Sequence, residues 1–90
     1  MFSVLIANYN NGQYLQEAID SVFSQSYTDW EIVIVDDGST DNSADIYSKY
    51  AKNDRIHIYF NTQNKGCTYT KWRLIEECHG ELFGFLDADD

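Results

Sequence analysis

Two groups of aspartates follow apolar runs, and these acids are the residues of the chain best suited to chemistry. Asp36 and Asp37 follow Ile-Val-Ile-Val, and Asp87 and Asp89 follow Leu-Phe-Gly-Phe-Leu. Carboxylate oxygens are preferred ligands of Mg²⁺ and Mn²⁺, usually together with phosphate oxygens of a substrate. Gathering like charges costs energy unless a cation joins them. The pattern favours a cation site, and the simpler alternative is solvated acids that follow a strand and a turn.

Apolar patterning predicts seven elements that must position these acids. Short apolar runs predict strands, and apolar residues at three- and four-residue steps predict helices. The strands are expected at residues 2–7, 32–35, 56–60 and 81–86, and the helices at 13–24, 42–52 and 68–79. This alternation with short connections predicts an α/β fold, a three-layer Rossmann-like parallel sheet with right-handed crossovers. The third strand is more polar, which indicates a sheet edge.

The expected strand order is 3-2-1-4, which places the first strand between the two acidic ones. Because the carboxyl ends of parallel strands share one edge, both acidic groups and the polar turn at residues 8–12 are expected there. In open α/β sheets, ligands bind at this edge, where the strand order reverses. We therefore expect the functional site at the carboxyl end of the first strand.

Several side chains are expected to shape or pack the helices. The expected capping residues are Asn11 for the first helix, Ser39, Thr40 and Asp41 for the second, and Gly80 for the end of the third. The expected apolar positions are Ala44, Tyr47, Tyr50 and Ala51 on the second helix, and Trp72, Leu74, Ile75 and Cys78 on the third. We interpret His57 as an exposed strand residue rather than a ligand, and His79 as favourable at the negative end of the third helix.

Composition argues against several classes of protein. Ninety residues make one small domain, and seven Tyr, five Phe and two Trp argue against disorder. A formal charge of −9 is unfavourable for a nucleic-acid binder, which needs a basic surface. Cys67 and Cys78 would lie about 16 Å apart on one helix. This distance predicts free thiols in a reducing compartment, because a disulfide cannot span it.

The sequence shows no apolar run long enough to cross a bilayer and no signal-peptide pattern. We therefore expect a cytoplasmic protein, with membrane association through a C-terminal continuation as the alternative.

Short segments occur along the chain in a distinctive order. They include Val-Leu-Ile-Ala-Asn-Tyr-Asn at 4–10, Val-Asp-Asp-Gly-Ser-Thr-Asp at 35–41, and Phe-Leu-Asp-Ala-Asp-Asp at 85–90. Further matching segments lie within 14–31 and at 64–66 and 79–81. With these segments, the whole chain resembles the nucleotide-binding half of family-2 glycosyltransferases with the GT-A fold.

The resemblance implies a nucleotide-diphosphate sugar donor, with a UDP-sugar as the first expectation. Ala7 and Tyr9 would line the nucleoside pocket, and Asp37, with Asp36 behind it, would accept hydrogen bonds from the base or ribose. Asp87 would lie near the ribose and the metal, and Asp89 would bind Mg²⁺ or Mn²⁺ on the diphosphate. Lys71 stands where the family often has arginine, and it could reach a base or phosphate as a point charge.

The resemblance also implies that residues 1–90 are the donor-binding half of a longer, truncated domain. The parent would transfer the sugar to a saccharide or other acceptor hydroxyl, with inversion, in polysaccharide biosynthesis. Its catalytic base would lie beyond Asp90, so the fragment alone would be inactive. The last strand would be left as an edge, through which two copies could pair.

Two other functions remain as alternatives. One is a non-catalytic nucleotide-binding or interaction module that keeps the same scaffold. The other is a dinucleotide-binding domain, which ranks lower because the first turn has only Gly12 and lacks the Gly-x-Gly-x-x-Gly pattern.

Overall fold

The centre of the molecule is a parallel four-stranded sheet. The computed structural model describes residues 1–86, without the side chain of Cys67. The strands are β1 Phe2–Asn8, β2 Trp30–Asp36, β3 Ile56–Phe60 and β4 Leu82–Phe85. Their order is β3-β2-β1-β4, and all three pairings are parallel. The predicted order 3-2-1-4 is therefore confirmed, with the polar strand β3 at an edge.

Three helices cover the two faces of the sheet and make the three expected layers. They are α1 Gly12–Phe23, α2 Ser43–Tyr50 and α3 Cys67–Glu77. Side chains alternate between the faces along each strand. Ile32 and Ile34 of β2 pack in the core that α1 and α2 cover, whereas Val33 and Val35 pack in the core that Leu74 of α3 covers.

Strand β2 is the most buried element, because both of its faces are covered. All seven of its residues are buried, and the four β-branched ones have 0% exposure. Burying one such side chain fully stabilises the fold by about 1.5–3 kcal/mol relative to exposure. The buried β-branched run therefore fixes the position of Asp36 and Asp37 at the carboxyl end of β2.

Two predictions about helix faces are wrong in part, although Tyr47 on α2 and Leu74 on α3 are buried as predicted. On α2 the buried residues are Ser43, Ile46 and Tyr47, while Ala44 and Ala51 are exposed. On α3, Trp72 is 63% exposed although Leu74 is fully buried. Two residues correspond to a rotation of about 200° around a helix, so Trp72 points away from the sheet that Leu74 contacts.

The prediction that Gly80 caps α3 is also wrong. The backbone is already extended at Cys78, with φ −77° and ψ 152°, so the helix ends before Gly80. A Cβ atom at Gly80 would lie 2.5 Å from the Ser3 hydroxyl and 2.6 Å from the Met1 carbonyl oxygen. Glycine is needed there because the backbone passes close to β1. His79 likewise lies beyond the helix and contacts Glu31, so its expected role at the helix end is replaced by that contact.

Within residues 1–86, none of the three helices has both the length and the apolar character that crossing a membrane requires.

Candidate functional site

Asp36 ends β2 and organises the turn that follows it. Its Oδ1 accepts hydrogen bonds from the backbone N–H of Gly38 at 3.0 Å and of Ser39 at 2.7 Å. Its Oδ2 accepts from the Tyr47 hydroxyl at 2.6 Å and from the Asn8 amide at 3.3 Å. A carboxylate has about four acceptor positions. All four are used here, so Asp36 holds the turn in place and has no acceptor position free for a ligand.

The hydroxyl of Tyr47 fits this arrangement as a donor. Burial raises the pKa of Tyr47 above its ordinary value, and the hydrogen bond to Asp36 raises it further. The hydroxyl therefore stays protonated and donates to the carboxylate. Tyr47 also accepts a hydrogen bond from the Asn8 amide at 2.9 Å, which connects α2 to the end of β1.

Asp37 lies beside Asp36 and connects the turn after β2 to the loop after β3. Its Oδ1 accepts from the Asn61 amide at 2.8 Å and from the backbone N–H of Lys65 at 2.7 Å. Its Oδ2 accepts from the backbone N–H of Gly66 at 3.0 Å. These three bonds leave one acceptor position on Oδ2. Asp37 can therefore accept one further hydrogen bond from a ligand.

The turn after β1 is bonded directly to the turn after β2. Asn10 has a positive φ of 54°, which Asn tolerates better than most residues. Its side-chain oxygen accepts from the backbone N–H of Thr40 at 2.7 Å and of Asp41 at 3.2 Å. The Ser39 hydroxyl accepts from the Asn10 backbone N–H at 2.8 Å. Ser39 and Thr40 thus join the two turns. The prediction that they cap α2 is wrong.

Asp41 serves the starts of two helices. Its carboxylate accepts from the backbone N–H of Gly12 at 3.0 Å, at the start of α1, and of Ser43 at 3.0 Å, at the start of α2. Desolvation raises the pKa of Asp41, but the hydrogen bonds from Ser43 and Gly12 outweigh it, so the pKa lies below its ordinary value. A negative charge is favourable at a helix N-terminus. As predicted, Asp41 accepts from an N–H at the start of α2, although Asn42 and not Asp41 occupies the N-cap position.

Asn11 occupies the residue before α1, as predicted, but its side chain does not cap the helix. The amide instead donates to the carbonyl oxygen of Tyr9 at 3.0 Å. The sequence-based prediction failed because Asp41, from a different turn, binds the first free N–H of α1.

Arg73 and Asn61 belong to the site, although the sequence analysis did not single them out. The Arg73 guanidinium donates to the Asn61 side-chain oxygen at 2.9 Å and to the Phe60 carbonyl oxygen at 2.7 Å. The Asn61 amide in turn donates to Asp37 and, at 3.1 Å, to the Thr70 hydroxyl. Arg73 therefore positions Asp37 through Asn61. The sequence signal that could have indicated these residues is the spacing of Thr70 and Arg73, because residues three apart lie on one face of a helix.

The structure brings the candidate residues of the first two strands together. Asn8 pairs with Asp36 in the sheet, and Ala7 pairs with Val35, so Ala7 lies one residue inside this edge. Tyr9 follows directly and is 48% exposed. Ala7, Tyr9, Asp36 and Asp37 therefore share the carboxyl edge of the sheet.

The candidate Lys71 lies on the side of β4. The Lys71 ammonium lies 5.6 Å from the centroid of the Phe85 ring. The backbone N–H of Leu86 donates to the Leu5 carbonyl oxygen at 2.9 Å, which keeps the chain beside β1 as it leaves β4. The predicted metal ligands Asp87 and Asp89 lie outside the described residues.

Comparison with known proteins supports the resemblance to family-2 glycosyltransferases. The family described as glycosyl transferase family 2 matches residues 3–90. TuaG of Bacillus subtilis (strain 168), assigned as a teichuronic acid biosynthesis glycosyltransferase, is 38% identical over 91 residues. The glycosyltransferase GlyG of Streptococcus pneumoniae serotype 4 is 35% identical over 91 residues. Both matches cover 100% of this chain but only 36% and 30% of the relatives, so the chain spans about a third of their length.

A solved structure agrees with the fold. S. aureus TarS 1-349 in complex with UDP-GlcNAc matches with a TM-score of 0.88 at 30% identity. The match covers 98% of this chain and 26% of TarS 1-349. The predicted Rossmann-like GT-A fold is confirmed by this likeness together with the strand order. With a family match over nearly its whole length, the chain belongs to glycosyl transferase family 2.

Proposed function

We propose that this chain binds a nucleotide-diphosphate sugar at the carboxyl edge of its sheet, and that the full-length protein transfers the sugar. The observation that carries the proposal is that hydrogen bonds join the turns after β1 and β2, while one acceptor position on the Asp37 carboxylate remains available to a ligand. It lies at the switch point of the sheet, where such folds bind ligands. The complex of TarS with UDP-GlcNAc supports a UDP-sugar as the donor.

The nucleoside is the part of the donor that the described residues would recognise. Asp37 accepts an N–H of the base or a ribose hydroxyl at Oδ2, and the exposed Tyr9 and the neighbouring Ala7 line the pocket. Asp36, whose acceptor positions are filled, holds the turn in shape. A hydrogen bond to a charged group contributes about 1.5–3 kcal/mol. Asp37 is therefore the largest single polar contributor to binding of the nucleoside.

The diphosphate requires positive charge, because the chain itself carries a formal charge of −9. Asp87 and Asp89 offer the hard oxygen ligands that suit Mg²⁺ or Mn²⁺. They follow Leu86, whose bond to Leu5 brings the chain to the same side of the sheet as Ala7. When bound, the cation neutralises charge that develops on the departing diphosphate. Lys71, beside Phe85, adds a second positive charge on this side.

The reaction of the full-length protein is a direct displacement at the anomeric carbon, with inversion. An acceptor hydroxyl attacks as a base removes its proton, and the nucleoside diphosphate leaves. The base belongs to residues that follow Asp90. The assigned role of TuaG in teichuronic acid biosynthesis supports a saccharide acceptor and a place in polysaccharide assembly.

Titration calorimetry with UDP-GlcNAc, with and without Mn²⁺, tests the proposal on the full-length protein. The variants are Asp37→Asn and Asp89→Asn, and Asp45→Asn on the exposed side of α2 is the matched control. Losing one charge-assisted hydrogen bond corresponds to affinity about 10- to 100-fold weaker for Asp37→Asn. Asp89→Asn should remove the dependence on Mn²⁺, and the control should leave affinity unchanged.

The proposal is wrong if the donor binds equally well without a divalent cation and in both site variants. Asp89→Asn keeps the test decisive if Asp37→Asn disturbs the loop after β3. Binding of UDP-GlcNAc without any transfer or hydrolysis by the full-length protein would favour the non-catalytic module.

A further inference from the structure

A second polar cluster lies at the opposite, amino edge of the sheet. Glu31 stands near the start of β2, about 16 Å along the strand from Asp36. It is only 3% exposed. Its Oε2 accepts from the Ser3 hydroxyl at 2.6 Å and from the backbone N–H of His79 at 2.6 Å. One carboxylate oxygen is thus fully engaged, and the orientation of the group is fixed.

The other oxygen of Glu31 faces two imidazoles. His57 Nε2 lies 3.3 Å and His79 Nδ1 lies 3.1 Å from Oε1. The two rings are 5.6 Å apart between centroids. One ligand atom from each of the three residues lies within 4.8 Å of the other two. The sheet and the connection from α3 to β4 therefore bring together residues that are far apart in sequence.

We propose that Glu31, His57 and His79 form a binding site for a transition-metal ion, with Zn²⁺ as the preferred occupant. Two imidazole nitrogens and one carboxylate oxygen are a donor set that Zn²⁺ uses in proteins, with a water in the fourth position. Ligand atoms of a tetrahedral zinc ion are about 3.4 Å apart. The two oxygen-to-nitrogen distances already match this value.

The remaining adjustment is small and falls on the more exposed of the two histidines. The side chain of His79 is 61% exposed and that of His57 is 34% exposed, so a rotation of His79 can bring its nitrogen nearer to that of His57. The same exposure leaves room for a water ligand. The bonds from Ser3 and from the His79 backbone orient the carboxylate, as supporting contacts do in metal sites.

The site differs in chemistry from the proposed donor site. Imidazole suits Zn²⁺ and other transition metals, whereas carboxylate-only ligands suit Mg²⁺ and Mn²⁺. A bound ion would fix the connection between α3 and β4 to β2 and β3. The proposal does not depend on donor binding, because no residue is shared between the two edges.

Calorimetric titration of the full chain with ZnCl₂ tests this proposal, with excess Mg²⁺ present to occupy carboxylate sites. We expect saturable one-to-one binding by the wild type. His57→Gln and His79→Gln should each weaken binding at least about tenfold, since even supporting residues of metal sites have effects of that size. The control is the double variant Cys67→Ser with Cys78→Ser, which removes the thiols and should bind as the wild type does.

A thermal melt and an NMR titration complete the test. Zn²⁺ should raise the Tm of the wild type but not of either histidine variant, because only a ligand that binds the folded state stabilises it. The ring nitrogens of His57 and His79 should shift together on addition of Zn²⁺. The proposal is overturned by the absence of one-to-one binding, by unchanged affinity in both histidine variants, or by lost affinity in the cysteine variant.

Discussion

The two edges of the sheet each bury a carboxylate, but they obtain its partners in different ways. At the carboxyl edge, Asp36 accepts from Gly38 and Ser39, two and three residues further along the chain. At the amino edge, Glu31 accepts from Ser3 and His79, which are 28 and 48 residues away. Two of the four bonds to Asp36 thus come from within one short motif, and the other two come from Asn8 and Tyr47. The amino-edge cluster exists only once the whole sheet has formed.

This difference predicts that substitutions at the two edges affect different parts of the fold. A change at Asp36 disturbs the turn after β2 and also its bonds to Asn8 at the end of β1 and to Tyr47 on α2. A change at Glu31 loosens the connection between α3 and β4 while the turns at the other edge keep their own bonds.

Asp36→Ala should give the largest loss of stability. Buried donors without a partner cost about 1–3 kcal/mol each. This change removes an acceptor from the buried Tyr47 hydroxyl and Asn8 amide, and from two partly buried backbone N–H groups. We expect the free energy of unfolding to fall by at least about 3 kcal/mol in urea titrations. Glu17→Ala, on the exposed face of α1, is the control and should change it by no more than about 0.5 kcal/mol. Equal effects would contradict the role given to Asp36.

Glu31→Gln should cost about 2 kcal/mol, measured in a chelating buffer that removes metal ions. Burial raises the pKa of Glu31, but the bonds from Ser3 and His79 outweigh it, so the pKa lies below its ordinary value of 4.5. The folded state therefore binds the proton less readily than the unfolded state. The resulting stability is present above pH 4.5 and is lost as the pH falls through the lower, folded-state pKa.

The measurement for Glu31 is urea unfolding repeated between neutral and acidic pH. The Gln variant should lose less stability on acidification than the wild type does, because the group that titrates is gone. If the free energy of unfolding falls equally with acidification in the two proteins, Glu31 does not stabilise the amino edge in this way.

Tyr47→Phe should have a smaller effect, about 1.5 kcal/mol, because one hydroxyl is lost from a site that keeps its other bonds. Since the pKa of Tyr47 is raised, its contribution is complete below pH 10.0 and is lost as the pH rises above that value. The variant should lack this part of the alkaline loss. Tyr14→Phe, at a 42% exposed position, is the matched control and should keep the alkaline limb of the wild type.

Much of the fold could be predicted from sequence because its signals are local. The apolar run of β2 predicted a buried strand, and all seven of its residues are buried. The alternation of strands and helices predicted a parallel sheet, and the expected strand order 3-2-1-4 is the observed one. The turn at Gly38 was also predictable, since its φ of 89° is one that glycine adopts readily.

The rest depends on contacts between distant segments, which the sequence pattern does not display. Asp41 could be recognised as a cap, but its bond to Gly12 at the start of another helix could not. Arg73 reaches Asp37 only through Asn61, after β3 and α3 have packed. His57 was interpreted as an exposed strand residue, because its neighbour Glu31 lies on an adjacent strand and its neighbour His79 lies beyond α3.

The central claim is that the carboxyl edge recognises the nucleotide donor while the amino edge is a separate site. Its most direct test is a pair of ¹⁵N-resolved NMR titrations of the chain, one with UDP and Mg²⁺ and one with Zn²⁺ in the presence of Mg²⁺. We expect UDP to shift the backbone amides of Tyr9, Asp37 and Gly66, with Glu31 and His79 unmoved. Shifts centred on Glu31 and His79 on addition of UDP, with the amides near Asp37 unchanged, would contradict the account.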